Sequence, residues 1–155
     1  MHNQFIKTAI DEAMNGMAQG HGGPFGAVIV QNNEIIAANH NRVLSTNDPT
    51  MHAEIAAIRQ ACAKLNRFSL HDCEIYSTCM PCPMCLGAIM WAKIQKLYYG
   101  ARDTDAAKAG FDDKYIYDYI KNNNIGENLK IEIISEEECK GLFRVWENIE
   151  GKTMY

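Results

Sequence analysis

Two short stretches carry the reactive side chains of this chain: His52-Ala53-Glu54, and Pro81-Cys82-Pro83-Met84-Cys85. One imidazole and two thiolates hold a zinc ion and leave a fourth position open to water. Zinc lowers the pKa of such a water to roughly 7, so hydroxide is available at neutral pH. Glu54 lies two residues from the histidine. It is not a ligand in this reading, and it is close enough to move that water's protons. Cys82 and Cys85 are spaced i, i+3, so in a helix they share one face. Pro81 and Pro83 mark a helix start, because proline is tolerated only in the first turn. A helix N-terminus favours negative charge and biases both thiols toward thiolate.

Cys79 offers an alternative. Cys79-x-x-Cys82-x-x-Cys85 contains two overlapping Cys-x-x-Cys pairs. With His52, all three cysteines make a closed structural zinc site without catalysis. Two arguments favour the open site. Cys79 ends an apparent strand over 74–78 and lies across Pro81, outside the turn that pairs the other two. A closed site also gives Glu54 no role. The open arrangement matches the established H-x-E…P-C-x-x-C signature of zinc deaminases.

The elements that must position these groups follow from composition and pattern. The 155 residues suffice for one domain with a sizeable core, read here as 1–155. The net charge is −4, and no basic stretch forms a nucleic-acid footprint. No apolar run is long enough for a membrane span, and Met1-His2-Asn3-Gln4 is not a signal-peptide start. Six cysteines without secretory context read as reduced thiols in a cytoplasmic protein.

Phe5, Ile6, Ala9, Ile10, Ala13, Met14 and Met17 repeat at three and four residues, which predicts an amphipathic helix ending near Gly16 or Gly20. An apolar strand over 25–30 turns through Gln31-Asn32-Asn33 into a second over 34–39. A polar loop covers 40–49. Thr50 or Met51 opens a helix with His52 in its first turn and Ile55, Ile58, Cys62 and Leu65 on its core face. A strand over 72–78, a helix over 82–93, a strand over 94–100 and a helix over 112–120 follow. A fifth strand is expected at 131–134, and a last helix opens with a capping box from Ser135 to Glu138. This order predicts an α/β fold with three α/β/α layers around a five-stranded mixed sheet. The helix between the fourth and fifth strands makes that pair parallel.

Four stretches carry a family resemblance: residues 22–30 (GGPFGAVIV), 47–54 (NDPTMHAE), 79–89 (CMPCPMCLGAI) and 104–113 (TDAAKAGFDD). The chain resembles the cytidine-deaminase-like superfamily of zinc hydrolases over nearly its whole length. Within that group it is most similar to the guanine deaminases of bacteria. The first three stretches are partly shared with tRNA adenosine deaminases and cytosine deaminases; the fourth, with a chain ending in tyrosine, is more selective. The resemblance implies hydrolysis of guanine to xanthine and ammonia, with one zinc ion per subunit on His52, Cys82 and Cys85. It implies Glu54 as proton shuttle and Asp113 as a second acid near the leaving amine. It also implies Phe25 stacked on the purine, Asn41 hydrogen-bonded to it, and Tyr155 as a lid. Met80 departs from the pattern, since relatives usually carry glutamate there. The resemblance further implies a homodimer in which the segment after about Gly110 crosses to the partner. Asp113 and Tyr155 would then act in trans. The small-residue run over 106–110 would serve as the hinge.

The residues themselves leave alternatives open. Phe25 starts an apolar strand and suits either the core or a pocket. Asn41 sits among turn formers and suits a local turn bond equally. Asp112 or Asp113 suits an ordinary helix cap. Tyr155 is at a chain end, where order is usually low. A tRNA adenosine deaminase, a deaminase of another base or nucleoside, and a zinc-stabilised binding domain without catalysis are the rival readings. The first must dock a polyanion, which Glu136-Glu137-Glu138 and the acidic chain disfavour.

Overall fold

A computed structural model of the chain describes residues 2–122, 132 and 134–153. The chain forms two compact units, Met1–Lys114 and Tyr115–Tyr155. Eleven elements occur in the described residues: α1 (His2–Ala18), β1 (Gly26–Gln31), β2 (Glu34–His40), α2 (Val43–Thr46), α3 (Ala53–Leu65), β3 (Cys73–Cys79), α4 (Pro83–Trp91), β4 (Lys96–Ala101), α5 (Asp103–Lys108), α6 (Lys114–Asn122) and α7 (Glu136–Glu147).

The first unit is a sheet in the order β2-β1-β3-β4. β1 runs antiparallel to both β2 and β3. β3 and β4 are parallel, joined through α4, because parallel neighbours need a crossover. The β1–β2 hairpin turns on Asn32 and Asn33, both left-handed at φ 50° and 66°. Asparagine tolerates that region, and two such residues match the strand twist of a tight hairpin.

Alternation along β1 separates two cores. Val28 and Val30 face α1 and pack with Phe5, Ala9 and Tyr76. Ala27 and Ile29 face the other way and pack with Ala53, Ala57 and Ala61 of α3 and Ile89 of α4. Helices therefore cover both faces, as the alternation of elements requires. The buried stripe of α1 is Phe5, Ala9, Ala13 and Gly16. Ile10, Met14 and Met17, expected in that stripe, are exposed.

Four expectations are corrected. The sheet has four strands among the described residues, not five. Ile131 and Ile133 of the expected fifth strand lie outside the described residues, whereas Glu132 and Ile134 belong to no strand; the expected parallel pair of fourth and fifth strands goes with it. The core face of α3 is built from Ala53, Ala56, Ala57 and Ala61, with Ile58, Cys62 and Leu65 at its margin. Small side chains bring the helix axis close to the sheet, which a search for bulky residues overlooks. The polar loop over 40–49 contains the short helix α2. Ser135 precedes α7 with a left-handed φ of 49° and makes no side-chain cap bond, so the capping box is not formed.

Gly26 shows how tightly α1 sits on β1. A Cβ there would lie 1.9 Å from the Ala9 carbonyl oxygen. Gly26→Ala must therefore push helix and strand apart. The expected loss is about 1–3 kcal/mol of unfolding free energy, the range for overpacking a close-packed interior, measured by urea denaturation. Wild-type stability would contradict this close approach.

Candidate metal centre and active site

The site gathers at one end of the sheet. Gly26, the first residue of β1, pairs with His40, the last of β2, and Ala27 pairs with Ser77 near the end of β3. The start of β1 and the ends of β2 and β3 thus meet at one edge. The loops leaving β2 and β3 lead into α3 and α4, so both helices begin there. The Arg42 N–H donates to the Met51 carbonyl at 2.9 Å and closes the base of the first loop.

His52 and Cys82 are the N-cap residues of α3 and α4, both with extended backbone. Neither side chain caps its helix. His52 thus precedes the first turn in which the sequence pattern put it. Cys85 follows one turn into α4, where it is buried. His52 Nδ1 lies 3.6 Å from Cys82 Sγ and 3.5 Å from Cys85 Sγ. The three donor atoms lie within 4.8 Å of one another. Tetrahedral zinc with Zn–N and Zn–S bonds of about 2.05 and 2.3 Å needs nitrogen and sulfur about 3.5 Å apart. The donor set and its spacing therefore fit zinc. Cys82 is pushed down to about 4, first by the hydrogen bond from Cys85, against the opposing effect of burial. Cys85 is pushed up because that bond holds its proton. Metal binding needs both sulfurs as thiolates and so releases protons.

Cys79 is not a member of this group. Its Sγ lies 3.5 Å from the Arg102 carbonyl oxygen, and burial raises its pKa. Met80 beside it is half-buried, and its N–H donates to the Ala101 carbonyl.

Glu54 sits in the first turn of α3 and is 6% exposed. Burial raises its carboxyl pKa, against the lowering effect of the Ser77 hydroxyl. That hydroxyl donates to Glu54 Oε1 at 3.0 Å. Ser77 was not singled out in the sequence. The available signal was a small hydroxyl residue inside the strand β3, since a buried polar group needs a partner. Thr78, also overlooked, accepts from the Gly26 N–H at 3.1 Å and ties the start of β1 to β3.

Asn41 is buried at the exit of β2. Its N–H donates to the Phe25 carbonyl, and its Oδ1 accepts from the Val43 N–H at 3.2 Å. The turn bond that the sequence allowed is therefore made. It engages the oxygen of the amide, and the amide nitrogen carries two further donors. Phe25 is half-buried against the core cluster under α3. Its ring meets Phe111 edge-on, with centroids 5.0 Å apart and an interplanar angle of 86°.

The two adjacent aspartates divide their work. Asp112 Oδ1 accepts from the Lys114 N–H at 2.9 Å, the local turn bond at the start of α6. Asp113 is half-buried, and its carboxyl is pushed up by burial and then by the negative charge of Cys82. It also interacts with the charge of His52. These are groups of its own chain, all within the first compact unit. Tyr155 lies outside the described residues.

Comparison with known proteins gives a consistent picture. Residues 1–101 match the model of the cytidine and deoxycytidylate deaminase zinc-binding region. The guanine deaminase of Bacillus subtilis is 46% identical over 154 residues, spanning 99% of both chains. A tRNA-specific adenosine deaminase of Aquifex aeolicus is 43% identical over 99 residues, 64% of this chain and 65% of that one. The X-ray structure of the Bacillus subtilis guanine deaminase superposes with a TM-score of 0.95 at 45% identity, covering 100% of this chain and 99% of that one.

The geometry separates the cysteines. Cys79→Ser is expected to retain stoichiometric zinc by elemental analysis, and Cys82→Ser to lose it. Loss of zinc in Cys79→Ser, with retention in Cys82→Ser, would overturn the ligand set.

Proposed function

The chain belongs to the cytidine and deoxycytidylate deaminase zinc-binding family, and we propose that it hydrolyses guanine to xanthine and ammonia. The observation that carries this reading is the buried Glu54 carboxyl, held by Ser77, beside a His-Cys-Cys donor set. Guanine is preferred as substrate because the likeness to a guanine deaminase runs along 99% of the chain.

His52, Cys82 and Cys85 would hold a zinc ion. Bound there, zinc lowers the pKa of a water ligand to roughly 7. Glu54 would accept a proton from the attacking water and deliver it to the ring nitrogen next to carbon 2. Its burial raises the carboxyl pKa toward the working pH, where one group both accepts and donates. Ser77 holds Oε1 and fixes the direction in which the proton moves. The amine on carbon 2 leaves as ammonia after a further proton from Glu54 or Asp113. One water is consumed per guanine, and its oxygen remains on carbon 2. Asp113 suits the donor role because burial and the nearby Cys82 charge favour its protonated form. Phe25 stacks on the base, with its ring orientation braced by Phe111. Asn41 offers amide N–H donors to the carbonyl edge of the base, since its oxygen is engaged by Val43.

We further propose a cytoplasmic homodimer. All six cysteines are free, which suits a reducing compartment. Among the described residues no helix is long and apolar enough to cross a membrane. Large apolar side chains lie exposed in both units, Trp91 at 66% and Phe143 at 69% among them. A second copy would cover them. The break between compact units after Lys114 supports exchange of the segment 115–155 rather than of everything past Gly110. Asp113 then serves its own chain, and Tyr155 closes the partner's site. Sedimentation equilibrium is expected to give twice the 17.4 kDa chain mass; a fully active monomer would reject the dimer.

Ammonia release from a panel of bases, nucleosides and tRNA tests the substrate. Guanine is expected to be fastest, with adenine and cytosine poor, because a site with buried polar groups rejects a base that leaves them unpaired. Faster turnover of adenine or tRNA would overturn the assignment. Glu54→Gln is expected to keep zinc and fold while losing about 10²–10⁴-fold in rate. A rate within a few-fold of wild type would remove Glu54 as the shuttle.

A further inference from the structure

We propose that Glu12, His40 and His21 form a clamp that fixes Asn41 and so sets how tightly the base is held, an inference that rests on the purine-base reading above. None of the three belongs to the donor group at His52, Cys82 and Cys85.

His40 is the last residue of β2 and is 8% exposed. Its ring is held on both sides. Nδ1 lies 2.8 Å from Glu12 Oε2, and Nε2 lies 2.9 Å from His21 Nδ1. The two imidazoles stack with centroids 5.2 Å apart and an interplanar angle of 24°. The direction of the first bond follows from the donor inventory. A carboxylate only accepts, so His40 Nδ1–H donates to Glu12. Between His40 Nε2 and His21 Nδ1 one ring nitrogen donates and the other accepts, as the tautomers set it. Gly16 makes room for the ring, since a Cβ there would lie 2.5 Å from His40 Cδ2. Glu12 and Gly16 are one turn apart on α1 and form one face. The helix thus provides both an anchor and a seat for the ring.

The clamp reaches Asn41 by three routes. His40 is its chain neighbour. The His21 carbonyl accepts from the N–H groups of Leu44 and Ser45 at 3.0 and 3.2 Å, which pins the start of α2. The first residue of α2 is Val43, whose N–H holds Asn41 Oδ1. Gly22, next to His21, lies directly on the Asn41 amide: a Cβ on Gly22 would come within 2.0 Å of Oδ1. Releasing the two imidazoles therefore frees the segment before Asn41, the segment after it and the residue covering it. His40 is a positioning residue that acts through Asn41, with no part in proton transfer.

The test combines steady-state kinetics on guanine with amide hydrogen exchange, for wild type, His40→Ala, His40→Gln, Asn41→Ala and the double variant His40→Ala/Asn41→Ala. His40→Ala is expected to raise KM about tenfold, the worth of a lost buried hydrogen bond, with kcat within about twofold and zinc retained. Glutamine carries one acceptor and one NH2 donor, so His40→Gln is expected to restore KM to within about twofold. In the Asn41→Ala background, His40→Ala is expected to add less than about twofold, because the two act as one unit. Leu44 and Ser45 are expected to lose exchange protection in His40→Ala while β1 and β3 keep theirs. An unchanged KM in His40→Ala, full additivity with Asn41→Ala, or loss of zinc and kcat at constant KM would overturn the clamp. Absent guanine turnover in the wild type, or wild-type KM in Asn41→Ala, would instead overturn the substrate reading. The exchange of Leu44 and Ser45 then decides the clamp alone, and unchanged protection there overturns it.

Discussion

Two helix N-termini brought to one end of one sheet are the constraint on which the rest of the molecule depends. His52 and Cys82 are both N-cap residues, and neither side chain caps its own helix, so both are available to a metal. The unsatisfied N–H groups of α3 and α4 then favour negative charge where the thiolates must be. The parallel pairing of β3 with β4 forces a crossover through α4, and that crossover starts the helix beside the end of β3. The antiparallel β1 fixes Gly26 opposite His40 and Ala27 opposite Ser77, so their neighbours Phe25 and Asn41 arrive at the same edge. If either helix started one residue later, His52 or Cys82 would turn away and the 3.5–3.6 Å spacing of nitrogen and sulfur would be lost.

The metal group was legible because its information is local. Spacing of i, i+3, flanking prolines and a glutamate two residues from a histidine each have a direct geometric meaning, and the structure brings the donor atoms of His52, Cys82 and Cys85 within 4.8 Å of one another. The exclusion of Cys79 was legible for the same reason, since a strand end and a helix turn point their side chains differently. Ser77 was not legible, because its meaning depends on register. Only the pairing of β1 with β3, and the approach of α3 over that face, turn a strand serine into the partner of Glu54. The alanine face of α3 escaped notice because periodicity reads size, whereas close approach needs its absence. In 131–134, propensity suggested a strand without naming its partner.

The aspartate pair and Asn41 are intermediate cases. Sequence alone left Asp112 and Asp113 interchangeable as caps; hydrogen bonding gives Asp112 the local turn bond to the Lys114 N–H, and Asp113 interacts with the charges of Cys82 and His52. For Asn41 the two alternatives prove compatible. An amide has two ends, and a turn bond at Oδ1 does not use the Nδ2 donors. A carbonyl-bearing base is a better complement to those donors than an amino-bearing one. Polar contacts also order the Glu12–His40–His21 line, where two histidines outside the zinc motif hold the backbone around Asn41.

Hydrolytic deamination at a water-activating centre makes one prediction that no rearrangement of substrate contacts can imitate. Guanine turned over by the purified protein in ¹⁸O-labelled water should yield xanthine carrying one heavy oxygen, on carbon 2, with one ammonia released per xanthine formed. Xanthine without the label, or no product from guanine under conditions where zinc is bound, would contradict the account.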